Sequence, residues 1–136
     1  MIVVDTNVVA YLYLSSDHTD AAERTLRKDS EWLAPLLWRS EMRNILALYV
    51  RQRQLRVADA LRILEEAEAL MAGREYEVRS RAVLELSIAS GCTAYDCEFV
   101  LLAQDLDIAL ITADQKILAR FPETAVSLRE FAAPGS

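Results

Sequence analysis

The feature that most limits how this chain can fold is a rhythm. Short runs of branched apolar residues alternate with longer stretches of helical period. "IVV" at 2–4, "EWLAP" at 31–35, "IALIT" at 108–112 and "AVSL" at 125–128 are long enough for buried strands and too short for helices. Between them lie helical stretches at 6–14 and roughly 18–28, the second opened by the turn residues Ser15, Ser16 and Asp17. From Trp38 to about Arg53, apolar residues recur at 42, 45, 46 and 49, again a helical spacing. "RVADALRILEEAEALMAG" and "SRAVLELSIASG" read as helices ended by Gly73 and Gly91. Residues 75–78 read as a short extended piece. "TAYDCEFVLLAQDLD" is apolar nearly all round, which predicts a central helix, and "DQKILARF" a short one. Strands alternating with helices imply an α/β fold with a short, mostly parallel central sheet flanked by helices. In such sheets function collects beyond the carboxyl ends of the strands.

With 136 residues, one domain is expected, spanning 1–131, with "AAPGS" at 132–136 as a tail. No apolar run approaches a membrane span and the start lacks a signal peptide's features, so no membrane association and a cytoplasmic setting are expected. Cys92 and Cys97 read as buried free thiols. A net charge of −6 and a pI near 4.8 stand at first against a polyanion binder.

Four acids carry the chemistry, and each has an ordinary explanation. Asp5 follows the first strand and Asp114 stands two residues past "IALIT", so each can cap the next helix. Asp96 follows Thr93 by three residues, a capping-box spelling, and Glu41 lies where a helix dipole favours an acid. Helical spacing, however, lines Asp96 up with Val100 and Ala103, and Glu41 with Ile45 and Leu48. A carboxylate on or beside an apolar stripe is costly unless it is paired or binds a metal. All four acids fall near strand carboxyl ends or helix starts, which share one edge of a parallel sheet. A converged tetrad repels itself unless cations lie between its members. Hard oxygen ligands of this kind suit Mg²⁺ or Mn²⁺. Other equipment is missing: His18 is the only histidine and reads as a surface residue, there is no glycine-rich phosphate loop, and the cysteines lack metal-ligand spacing.

"MIVVDTNVVAYL", "SEMRNILALYVRQRQL" and "TAYDCEFVLLAQDLDIALITADQKIL" together resemble the four ordered motifs of PIN-domain nucleases. The size and short final strand resemble in particular the VapC toxins of toxin–antitoxin pairs. The resemblance implies a PIN-like three-layer fold and a Mg²⁺- or Mn²⁺-dependent endoribonuclease leaving 3′-hydroxyl and 5′-phosphate ends. It makes Asp5, Glu41, Asp96 and Asp114 the catalytic, metal-binding acids. Thr6 or Asn7, Thr112 and Asn44 fall where the family places polar supporting groups. Cys97 and Glu98 depart from it, standing where small or aliphatic residues are more usual. RNA substrate, a cognate antitoxin and a homodimer are implied as partners. Arg39, Arg43, Arg51, Arg53 and Arg56 cluster near the second motif, as a solvated face or as RNA contacts. Two rival phosphoryl-transfer readings lack parts: a haloacid dehalogenase phosphatase wants an acid at Asn7, and a phospho-receiver wants adjacent acids near the first strand. The remaining rival is a PIN-like protein-binding module without catalysis, its acids serving only as helix caps.

Overall fold

The structure, a computed structural model, describes residues 1–135. In chain order they form β1 (Ile2–Val4), α1 (Thr6–Tyr13), α2 (Thr19–Lys28), β2 (Trp32–Pro35), α3 (Leu37–Arg51), α4 (Val57–Met71), β3 (Glu75–Tyr76) and α5 (Ser80–Ser90). There follow α6 (Ala94–Leu106), β4 (Leu110–Thr112), α7 (Gln115–Arg120), β5 (Ala125–Ser127) and α8 (Leu128–Ala132). The strands make one parallel sheet in the order β3-β2-β1-β4-β5. The α/β reading therefore holds, as a three-layer fold with helices on both faces of the sheet.

The strand order positions everything else. The chain steps from β1 outward to β2 and β3, then returns past β1 to β4 and β5. Right-handed crossovers running in opposite directions lay their helices on opposite faces. That puts α1–α4 on one face and α5–α7 on the other, and α6 indeed packs across β1, β2 and β4 with α5 against it. Covered on both faces, β1 is apolar at every position and fully buried, and Val3, Val4, Leu110 and Ile111 form the floor of the core. Trp32, Trp38, Met42 and Phe99 fill the space above and below it. The direction of winding reverses between β1 and β4, the switch point where open α/β sheets keep a crevice at their carboxyl ends.

Pro35 helps open that crevice. Ala34 and Leu36 donate their N–H groups to β3, at Arg74 O and Tyr76 O. By alternation the imide nitrogen of Pro35 faces β1, where pairing has already ended at Val3 with Leu33. No ladder bond is lost, and β1 and β2 part just before Asp5.

Some boundaries differ from expectation. Helix α3 stops at Arg51, because Arg53 takes a left-handed conformation (φ 59°) and closes a Schellman motif through Arg53 N to Val50 O and Gln54 N to Tyr49 O. "AVSL" is a strand only to Ser127. The Ser127 hydroxyl accepts from Glu130 N at 3.1 Å and starts α8, which buries Leu128. Cys92 and Cys97 are buried free thiols, and burial pushes the Cys97 thiol up. No single helix among the described residues is long and apolar enough to cross a membrane.

Candidate active site

Asp5 leaves β1 at the switch point. Its N–H bonds Ile111 O at 3.0 Å, which extends the β1–β4 pairing by one step. Although Asp5 occupies the N-cap position of α1, its side chain makes no capping bond. Instead the fully buried Thr112 hydroxyl donates to Asp5 Oδ2 at 2.7 Å. Asp5 is only 9% exposed, and burial lifts its carboxyl from the ordinary 3.8 to about 6. Repulsion from Glu41 and Asp96 adds to that rise, while bonds from Thr112 and the Thr6 backbone oppose it.

Threonines brace the neighbouring acids as well. Thr6, the first residue of α1, donates its hydroxyl to Glu41 Oε1 at 2.6 Å, linking α1 to α3. Burial, and then repulsion from Asp96 and Glu98, raise Glu41. Asp96, in the first turn of α6, gives its N–H to Thr93 Oγ1 at 3.0 Å. Its carboxyl is raised by burial and by Asp114, against the opposing pull of Thr93 and the Lys116 cation. Asp114 does cap: its Oδ1 accepts from Lys116 N at 2.8 Å and Ile117 N at 3.1 Å. Its own N–H bonds Thr112 Oγ1 at 3.0 Å, so Thr112 braces two of the acids at once.

Repulsions thus run from Asp5 to Glu41 and Asp96, from Glu41 to Asp96, and from Asp96 to Asp114. The four acids come from β1, α3, α6 and the end of β4, and they share one patch at the switch point. Among the described residues, no three His, Cys, Asp or Glu side chains stand close enough to clasp one ion directly. The donors are all hard oxygens, and the charge on the most buried one is opposed by its neighbours. That chemistry fits a small divalent cation held by few carboxylates, with water as further ligand, the way Mg²⁺ is commonly bound.

Other sequence candidates fall differently. Thr6 and Thr112 support acids, while Asn7 and Asn44 are exposed. The expected stripe beneath Glu41 shifts by one position. Trp38, Met42 and Leu46 are buried, Ile45 is half-buried and Leu48 is 42% exposed, so Glu41 rides the edge of the core. The Arg39 guanidinium is engaged by Glu75 and Glu68, tying α3 to β3 and α4, which gives it a structural role at the β3 edge. Arg43, Arg51 and Arg53 are exposed. At 1.5 Å per helical residue, Arg51 lies about 15 Å along α3 from Glu41. Lys116 escaped the sequence reading. It donates to Gly91 O at 3.0 Å and, with Arg120 reaching Ala89 O, fastens α7 to the α5–α6 turn ahead of Asp96. Its signal was a cation two residues past a helix-capping acid.

The PIN domain family profile matches residues 2–124. The chain belongs to the PIN-domain family. Among relatives, Ribonuclease VapC3 of Pyrobaculum aerophilum is 31% identical over 125 residues, covering 89% of this chain and 95% of that protein. The crystal structure of PAE2754 from Pyrobaculum aerophilum matches the fold with a TM-score of 0.75 at 21% identity, over 96% of this chain and 92% of the other. In this PIN domain, therefore, the acid patch lies inside the part that defines the family, while α8 extends beyond the matched residues.

Proposed function

We propose that this PIN domain is a divalent-metal-dependent endoribonuclease acting as the toxin of a toxin–antitoxin pair. The observation that carries this reading is Asp5: a buried carboxylate with no capping bond, pinned by Thr112 and facing the repulsion of Glu41 and Asp96. A scaffold gains nothing from such a group, whereas a cation site needs it. The similarity to a protein named as a ribonuclease supports RNA as the substrate.

Asp5, Glu41, Asp96 and Asp114 would hold Mg²⁺ or Mn²⁺. A cation bound there supplies a more acidic water and offsets charge growing on the phosphate. The chain's own part is positioning. Thr112 fixes the Asp5 carboxylate and the Asp114 backbone, Thr6 fixes Glu41, and Thr93 with Lys116 sets the turn that presents Asp96. With its carboxyl at about 6, Asp5 is mostly ionised at neutral pH and ready to bind a cation. The same reading includes a cognate antitoxin, supported by the VapC name of the relative, and with it a homodimer and a cytoplasmic setting. The rival protein-binding module explains Asp114, which caps α7, and leaves Asp5 unexplained.

The test is Asp5→Asn in purified protein with Mg²⁺ or Mn²⁺ and single-stranded RNA. Cleavage is expected to fall by about a hundredfold or more, with the circular dichroism spectrum unchanged. Full activity in that variant would remove Asp5 from the site.

A further inference from the structure

A groove of about 650 Å³ opens between α2 and α8 at the same sheet edge as the acids. Ala113 and Gln115, the neighbours of Asp114, form one wall, and Ser127 at the end of β5 with Leu128 at the start of α8 form another. We infer that this groove seats a nucleotide of single-stranded RNA beside the bond to be cut, its base stacked on His18. This rests on the nuclease reading and adds to it a side of entry and a contact for the base.

Three observations converge. The first is a prepared ring: His18 is stacked on Tyr11 with centroids 4.4 Å apart and planes 28° apart. His18 is exposed and lines the groove, so it is the ring offered to a ligand, with Tyr11 behind it as backing. A base on such a platform gains stacking without needing a particular sequence. The second is charge. Arg24 and Arg129 line this groove; Asp20 pairs with Arg24 at 3.0 Å, and Asp17 adds a second acid at the rim. The opposite flank of the site has its own groove of about 480 Å³, whose lining includes Glu77, Glu98, Tyr76 and Ser80 among apolar residues and no cation. Two arginines balance two acids in this groove, whereas the other holds two acids and no cation, so in a chain of net charge −6 a phosphate meets less repulsion on the side of the arginines. The third is continuity, since the groove begins at the residues flanking Asp114 and extends away along the sheet edge.

The test measures binding of a short, labelled single-stranded oligoribonucleotide by fluorescence anisotropy, without divalent metal so that the strand stays whole. His18→Ala is expected to weaken binding about tenfold, and His18→Phe, which keeps a stacking face, to restore it. Arg129→Gln is expected to reduce the slope of log affinity against log salt by about 0.7. Wild-type affinity in His18→Ala, no recovery in His18→Phe, or no RNA binding by the wild type would overturn the proposal. Metal-dependent cleavage, followed on the same preparations, reads the nuclease assignment separately. RNA held through His18 but never cut leaves the groove and removes the nuclease. RNA cut normally by a His18→Ala protein of unaltered affinity does the reverse.

Discussion

Asp5 and Asp114 occupy the same local setting, an acid between a strand end and a helix start, and their side chains do opposite things. Asp114 turns onto the helix and accepts two N–H groups, whereas Asp5 turns to Thr112 and stays charged against its surroundings. This has a consequence for pH. Asp5 holds its proton up to about pH 6 when folded and releases it near 3.8 when unfolded, so between those values the folded state binds more protons. In metal-free protein its contribution is neutral below about pH 4, turns unfavourable as pH rises towards 6, and then levels off. The total is about 3 kcal/mol, at about 1.4 kcal/mol per pH unit. Denaturation midpoints of wild type and Asp5→Asn, taken from about pH 4 to pH 7 in EDTA, are expected to diverge in favour of the variant as pH rises. Parallel curves would mean that Asp5 does not carry the strain assigned to it. Thr112 offers a second check. Thr112→Val keeps the shape and removes the hydroxyl that braces both Asp5 and Asp114. Mn²⁺ affinity by calorimetry is expected to fall about ten- to a hundredfold, with Thr112→Ser close to wild type. No sequence rule separates Asp5 from Asp114, because what decides between them is a threonine more than a hundred residues from one and two from the other.

Elements announced themselves in proportion to how much of their patterning is local. Helix α6 buries Cys97, Phe99, Val100, Leu101, Leu102 and Ala103, and its all-round apolar sequence marked it as central. Gly91 ends α5 in a left-handed conformation (φ 76°), as a glycine past the last periodic residue should. A Cβ placed on Gly91 would meet nothing within 4 Å. Gly91→Ala therefore tests the backbone alone and is expected to cost about 1 kcal/mol, a melting-point loss of a few degrees. An unchanged melting temperature would show that the α5–α6 turn relaxes freely. The end of α3 was harder to see because Arg53 takes the left-handed position where glycine is the usual signal. The five-residue α8 is too short for a periodic pattern, although its S-x-x-E start, Ser127 to Glu130, was available to be read. Capping separates the roles of Asp114 in the same manner. Asp114→Ala is expected to cost about 1 kcal/mol through α7, and Asp114→Asn only a few tenths or less, since its amide oxygen can take the same N–H bonds. A loss of metal-dependent cleavage in both variants would then be a matter of charge.

At the scale of the whole molecule, the strand order turns four scattered acids into one patch. Residues 5, 41, 96 and 114 meet because β1 and β4 are neighbours in the sheet although the chain visits β2 and β3 between them. The order of motifs was readable along the chain, but which strands adjoin is set by long-range pairing that no local pattern encodes. That is also why the α3 arginines looked close to the site in sequence while Arg39 serves the β3 edge. The acidic balance of the chain takes on a different meaning in this arrangement. Part of the negative charge is concentrated where burial, and then repulsion, already raise Asp5, Glu41 and Asp96, so a divalent cation bound there would relieve strain and favour the folded state. If that site cuts RNA, the chain produced alone in a bacterium is expected to halt growth and leave new RNA ends. Asp5→Asn is expected to abolish both at equal protein level, because it removes the charge and leaves the helix start unaltered. Thr112→Ser should arrest growth like wild type, since it keeps the brace. A protein that acted by occupying a partner would arrest growth with Asp5→Asn as well. Growth curves with matched immunoblots, plus primer extension on total RNA, separate these outcomes. Arrest by wild type and Asp5→Asn alike, with no new RNA ends, would refute the nuclease assignment and favour the binding module.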